Sequence, residues 1–284
     1  MNRFPDRASA FERSDAVLVD RIAASLARLG RPMLVGLCGA QGSGKSTMAV
    51  RLAARLGGLG RRAAVVSIDD FYLTRAERST LARDVHPLLM TRGPPGTHDV
   101  ALAETTISRL LAAGAGETVA APAFDKAIDD RLPVADWPRH RGPIDVVLLE
   151  GWCVGARAQA ARALLTPVNA LERDEDADGR WRHYVNAQLS GAYGGLFERL
   201  DLRLLLRAPC FEVVYAWRAE QEAGLRRIPG RGPPPMDEPA LRRFIAHYER
   251  VTRWVLEDKP ADVVVDLDAD RVPIGWRAIR PRIA

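Results

Sequence analysis

Nine consecutive residues, Gly39-Ala40-Gln41-Gly42-Ser43-Gly44-Lys45-Ser46-Thr47, constrain this chain more than any other feature. They fit G-x-x-x-x-G-K-[ST] in full. The apolar run MLVGLCG leads into them and TMAVRLAARL, a good helix pattern, follows. Strand, glycine-rich turn and helix together form the context that gives the string a physical meaning. Glycines let the backbone curl until successive N–H groups point at one anion. The helix N-terminus adds partial positive charge. Lys45 can then reach the β- and γ-phosphates of a triphosphate, and the Ser46 hydroxyl can ligate Mg²⁺. Gly39, Gln41, Gly42, Ser43, Gly44, Lys45, Ser46 and Thr47 are therefore the candidate nucleotide-binding residues. ATP and Mg²⁺ are the expected cofactors.

The rest of the chain alternates short apolar runs with helical patterns. Helices are expected over DAVLVDRIAASLARL, VALAETTISRLLAAG, most of GRWRHYVNAQLSGAYGGLFERL, FEVVYAWRAEQEAGLRR and ALRRFIAHYERVTRWVLED, with Asp99 capping the second. Strands are expected at MLVGLCG, RRAAVVSI, the start of ETVAAPAF, IDVVLLEG, DLRLLLRA and, as the last one, ADVVVDLDADR. Such alternation implies an α/β fold, a mostly parallel sheet with helices on both faces. The expected organisation is a single domain over 1–284, with residues 1–30 as a helical extension and a lid near 227–238.

Composition narrows the function classes. The 284 residues carry a formal net charge of +5, which suits a phosphorylated or carboxylated ligand. Arginines are scattered rather than gathered, so no nucleic-acid partner is expected. No apolar run spans a bilayer, and MNRFPDRASAFERSD is too polar for a secretory signal. Three cysteines without a CxxC spacing argue against a disulfide framework or a zinc site. A cytoplasmic protein with a small acidic substrate is the expectation.

Phosphoryl transfer also needs carboxylates, and in an open parallel sheet these belong at the carboxyl ends of strands beside the phosphate loop. Asp69 and Asp70 after AVVSI, and Glu150 after VVLL, meet that condition. Spacing does not decide which of Asp69 and Asp70 would accept the proton. An acidic acceptor needs cations to hold it. Arg92 and His98 in RGPPGTHD, and Lys126 and Arg131 in PAFDKAIDDR, supply that chemistry. Arg218, Arg226, Arg227 and Arg231 flank a Pro/Gly-rich connector and could close over the triphosphate. Trp181, Tyr184, Asn186 and Tyr193 share one helical stretch and read mainly as packing residues. The acidic insert ALERDEDADG suggests no role.

The blocks GAQGSGKST, SIDDFYLT, RGPPGTHD, PAFDKAIDDR and LLEGWCVGA, in this order between Met33 and Asp268, resemble the D-glycerate 3-kinase family. That group sits with uridine kinase, pantothenate kinase and phosphoribulokinase among the P-loop NTPases. The resemblance implies that Asp69 is the catalytic acid and that Glu150 is linked to Mg²⁺, so Ser46, Asp69 and Glu150 form the implied metal set. It implies an acceptor side of Asp70, Tyr72, Arg92, His98, Phe124, Lys126 and Arg131, and nucleotide-covering arginines near Arg218 and Arg227. D-Glycerate is the implied acceptor, with 3-phosphoglycerate as product. A nucleoside, pantothenate or sugar-phosphate acceptor is the alternative within the class. A P-loop ATPase with no metabolite acceptor, or a binding module without catalysis, stands outside it.

Overall fold

The computed structural model describes residues 2–4, 6–225 and 236–279. In chain order the first elements are β1 (Asn2–Arg3), α1 (Ala10–Leu29), β2 (Met33–Gly39), α2 (Lys45–Gly58) and β3 (Ala63–Ser67). Next come α3 (Arg75–Asp84), α4 (Val100–Ala112), β4 (Thr118–Ala120), β5 (Phe124–Asp125), β6 (Asp130–Arg131), β7 (Arg139–Arg141) and β8 (Val146–Gly151). The remainder is α5 (Ala170–Glu175), α6 (Arg180–Ser190), α7 (Ala192–Glu198), β9 (Leu202–Arg207), α8 (Glu212–Leu225), α9 (Glu238–Asp258), β10 (Val263–Leu267) and β11 (Pro273–Ala278).

The main sheet runs β1-β11-β10-β9-β2-β8-β3. The β10, β9, β2, β8 and β3 pairings are parallel, and β11 joins β10 antiparallel. β2 and β8 are buried along their whole length, as their unbroken apolar sequence requires. Alternate residues of each strand feed two cores. Leu34, Val66, Val147, Leu149, Leu205 and Val264 meet one set of helices, while Met33, Val35, Leu37, Val146, Leu148 and Leu204 meet the other. The chain is thus an α/β P-loop fold with a helical layer on each face.

Two expectations are corrected. The last strand is not Val263–Leu267 but β11, an edge-side strand with alternating exposure at its start. Its Pro273, Gly275 and half-buried Trp276 give no continuous apolar run, so sequence patterning passed over it. The helix α3 was also unexpected. It buries only Arg78, and a capping box between Thr74 and Glu77 starts it. Leu18, Val19, Ile22 and Leu26 of α1 lie in the second core. The expected lid falls largely on residues 226–235, outside the described residues, and Arg226, Arg227 and Arg231 with it.

Candidate active site

Register puts the functional ends of three strands level. In β2 and β3, Leu37 and Ser67 both pair with Glu150 in β8. The phosphate-loop turn leaves β2 at this level, and Asp69 follows β3 by two residues in a short 3-10 turn. Asp70, Tyr72 and the 91–99 loop continue from there.

The loop itself has the conformation its glycines allow. Gly42 has φ of 76°, and a side chain on it would lie 2.6 Å from the Trp217 Cβ. Trp217, in α8, therefore packs directly on the loop. The Gln41 Oε1 and Ser43 Oγ atoms are buried without hydrogen-bond partners among the described residues. Ser46, in the first turn of α2, donates to Glu150 Oε1 at 2.8 Å. The other carboxylate oxygen, Glu150 Oε2, is buried without a hydrogen bond among the described residues, with Lys45 Nζ 3.9 Å away. A hydroxyl and a carboxylate oxygen side by side next to an anion-binding turn suit a hard divalent cation. The donor set therefore fits Mg²⁺.

Asp69 lies across from this group. Its Oδ2 is 2.6 Å from Lys126 Nζ, and its Oδ1 accepts from the Tyr72 hydroxyl at 2.9 Å. Burial alone would raise the Asp69 pKa, but Lys126 and then Lys45 outweigh it and hold the carboxyl well below the usual range. Asp70 goes the other way. Burial first, and the neighbouring Asp69 charge after it, push Asp70 up to about 6, against a backbone hydrogen bond from Phe124 N that favours its ionised form. The two adjacent acids are thus separated by environment: one is an ionised carboxylate, the other near half-protonation in weakly acidic solution.

The aromatic wall of the site comes from distant segments. Tyr72 stacks on His98 with ring centroids 4.4 Å apart and meets Phe124 edge-on at 5.1 Å. The loop holding Arg92 and Gly93 is pinned from outside. Tyr248 of α9 donates to Arg92 O at 3.0 Å, and Trp152 Nε1 donates to Gly93 O at 3.2 Å.

Not all the expected cations converge. Lys126 does, on Asp69. Arg92 pairs with Asp129 and lies over the Phe124 ring. Arg131 donates to Tyr72 O at 2.9 Å and faces Asp99 at 3.5 Å. Arg218 is held within its own helix by Gln221 and Glu222 and lies over Phe244. Sequence reasoning missed Arg78, which is 1% exposed and bonds to Leu73 O, Met90 O and Asp129 O. It staples the acceptor-side loops together, yet no local pattern marks it. Trp152, Trp217 and Tyr248 were likewise invisible as site residues, because their roles depend on which helix passes the loops. Tyr193, which the sequence suggests mainly as a packing residue, accepts from the PGTHD segment at Gly96 N and His98 N.

Known proteins resemble the chain at several levels. The family model described as methylmalonyl Co-A mutase-associated GTPase MeaB matches residues 6–72, a segment that holds the phosphate loop and Asp69 but not Glu150. The uncharacterized kinase mug58 of Schizosaccharomyces pombe is 32% identical over 243 residues, 82% of this chain and 85% of that protein. The chloroplastic D-glycerate 3-kinase of Arabidopsis thaliana is 27% identical over 261 residues, and the match spans 86% of this chain but only 54% of the plant protein. Among solved structures, a D-glycerate 3-kinase from Cryptococcus neoformans superposes with a TM-score of 0.77 at 25% identity, covering 94% of this chain and 99% of that one. With the phosphate loop and the strand-end acids in place, and with a relative 32% identical over most of both chains, the chain belongs to this family of P-loop kinases, phosphotransferases whose acceptor is an alcohol group.

Proposed function

We propose that the chain transfers the γ-phosphate of ATP to D-glycerate, giving 3-phosphoglycerate, with Asp69 facing the acceptor hydroxyl. The observation that carries this reading is the position of Asp69. Asp69 pairs with Lys126 of the acceptor-side hairpin at 2.6 Å and is near enough to Lys45 of the phosphate loop for both charges to favour its carboxylate form. D-Glycerate is favoured because two relatives are named as D-glycerate 3-kinases and because Lys126, beside Asp69, can hold an acceptor carboxylate.

The acceptor hydroxyl oxygen forms a bond to the γ-phosphorus while the bond to the β–γ bridging oxygen breaks and ADP leaves. The hydroxyl proton passes to Asp69. Such transfers carry little covalent demand, so orientation and charge do most of the work. Asp69, held in place by Tyr72, orients the hydroxyl before it accepts the proton. The loop N–H groups and Lys45 hold the phosphates. Ser46 and Glu150 would hold Mg²⁺, which when bound neutralises phosphate charge. Lys126 must exchange Asp69 for the acceptor's carboxylate, and in doing so it returns basicity to Asp69.

A coupled assay of ADP release over a panel of small acids, nucleosides and sugar phosphates tests this. D-Glycerate should give the highest kcat/KM. ATP hydrolysis unchanged by any acceptor, or a clear preference for a nucleoside, would rule the reading out.

A further inference from the structure

His98 is buried, and its two ring nitrogens have unequal surroundings. The Tyr193 hydroxyl lies 2.6 Å from Nδ1. That same phenol oxygen accepts N–H bonds from Gly96 at 2.9 Å and from His98 itself at 3.3 Å. A phenol oxygen has two accepting positions and one proton. With both accepting positions given to backbone donors, the Tyr193 O–H must donate to Nδ1. Nδ1 is therefore the bare nitrogen, and a neutral ring must carry its hydrogen on Nε2. Burial keeps the ring neutral, pushing its pKa down to about 4.

Nε2 is buried with no hydrogen-bond partner among the described residues. It occupies the ring edge away from Tyr193. The ring lies flat on Tyr72, whose hydroxyl holds Asp69, and Asp69 is close enough for its charge to act on His98. A buried N–H with no partner among the described residues is costly unless a ligand oxygen reaches it.

We propose that Tyr193 locks His98 as the Nε2–H tautomer, and that this hydrogen donates to a carboxylate or hydroxyl oxygen of the acceptor next to the hydroxyl received by Asp69. The inference rests on the pocket beside Asp69 being the acceptor site. Tyr193 is then a positioning residue and His98 a specificity-determining one. A site built around a buried donor discriminates strongly against analogues lacking the matching oxygen. Because Nε2 is buried, acceptor binding must displace side chains around the ring for this contact to form.

Long-range ¹H–¹⁵N spectra of histidine-labelled protein at pH 7 read the tautomer directly, with His98→Gln identifying the His98 signals. The expected result is a proton on Nε2 in the wild type and a mixture of tautomers in Tyr193→Phe. A proton on Nδ1 in the wild type overturns the proposal. Kinetics then test the ligand contact. His98→Ala should raise the KM for D-glycerate by at least about tenfold while the KM for ATP stays within about twofold. His98→Gln, whose amide N–H reaches toward the Nε2 position, should recover most of the loss. Tyr193→Phe should move the acid KM in the same direction as His98→Ala. Unchanged D-glycerate saturation in His98→Ala overturns the contact. Wild-type enzyme that uses another acid instead of D-glycerate overturns only the substrate reading, and the same variants are then compared with that acid. Wild-type enzyme that uses no acid overturns both.

Discussion

Asp69 is pulled in two directions, and the balance sets how it can act. Burial favours its neutral form, while Lys126 and Lys45 favour the carboxylate. Removing Lys126 should let burial assert itself. In Lys126→Ala the acid limb of the kcat/KM profile, which reports the free enzyme, should therefore move to higher pH. An unmoved limb in a pH–rate series would separate Asp69 from the proton transfer. Asp70 invites a complementary measurement. Its folded pKa, near 6, lies above the ordinary carboxylate value, so the native state holds a proton that the unfolded chain has lost between about pH 4 and 6. Stability linked to this group is fully present below that window and falls as pH rises through it. Asp70→Asn keeps an acceptor for Phe124 N and removes the charge. It should stabilise the fold by about 1 kcal/mol at pH 8 and by nothing near pH 3.5, read from urea midpoints. The identities of these acids were legible in the sequence, since strand-end carboxylates beside a phosphate loop follow from topology. Their opposite electrostatics were not, because Lys126 comes from 57 positions away.

At the scale of elements, the 91–99 loop shows how a flexible composition becomes a rigid wall. Gly93 has φ of 130°, and a Cβ there would meet the Tyr248 hydroxyl at 2.0 Å. The loop follows this path because Tyr248 bonds Arg92 O and Trp152 bonds Gly93 O. Gly93→Ala should lose on the order of 3 kcal/mol, lower Tm by roughly 5–10 °C, and raise the acceptor KM more than the ATP KM. Calorimetry beside steady-state kinetics would show whether the loop serves the acceptor side. The proline and glycine content marked this segment as a loop, and Asp99 as its exit cap is confirmed by the Leu102 N–H bond at 2.9 Å. What pins the loop could not be read, because Tyr248 and Trp152 approach from other layers. Strands with uninterrupted apolar runs, β2 and β8, were legible for the converse reason: burial on both faces leaves an unambiguous signature. β11, exposed on alternate residues and broken by Pro and Gly, carries none.

Across the whole molecule, the carboxyl ends of the parallel strands carry the phosphate-binding loop between two helical layers, and buried ion pairs tie elements of one layer together. The acidic insert, opaque in the sequence, takes part in these pairs. Glu172 of α5 is fully buried and takes two hydrogen bonds from Arg250 of α9, at 2.7 and 2.6 Å. Asp176 accepts the N–H groups of Trp181 and Arg182 at the head of α6 and pairs with the Arg182 guanidinium. Arg250 also donates to Ala163 O and Thr166 O, so three chain segments, the 163–166 stretch, α5 and α9, meet at this one side chain. Among the described residues no helix is long and apolar enough to cross a membrane, and the Arg250 charge lies on a helix that also buries Leu241, Ile245, Val251 and Val255. α9 also carries Tyr248, so the same helix that the pair anchors braces the acceptor-side loop. Glu172→Ala leaves a buried guanidinium without its counter-charge and should cost about 3–5 kcal/mol. Glu172→Gln, which keeps an acceptor oxygen, should cost less. If the pair also sets the seating of α9, Glu172→Gln should raise the acceptor KM in folded enzyme while leaving the ATP KM unchanged. Urea unfolding and two-substrate kinetics on both variants would test this, and a loss of stability with unaltered acceptor KM would confine the pair to structure.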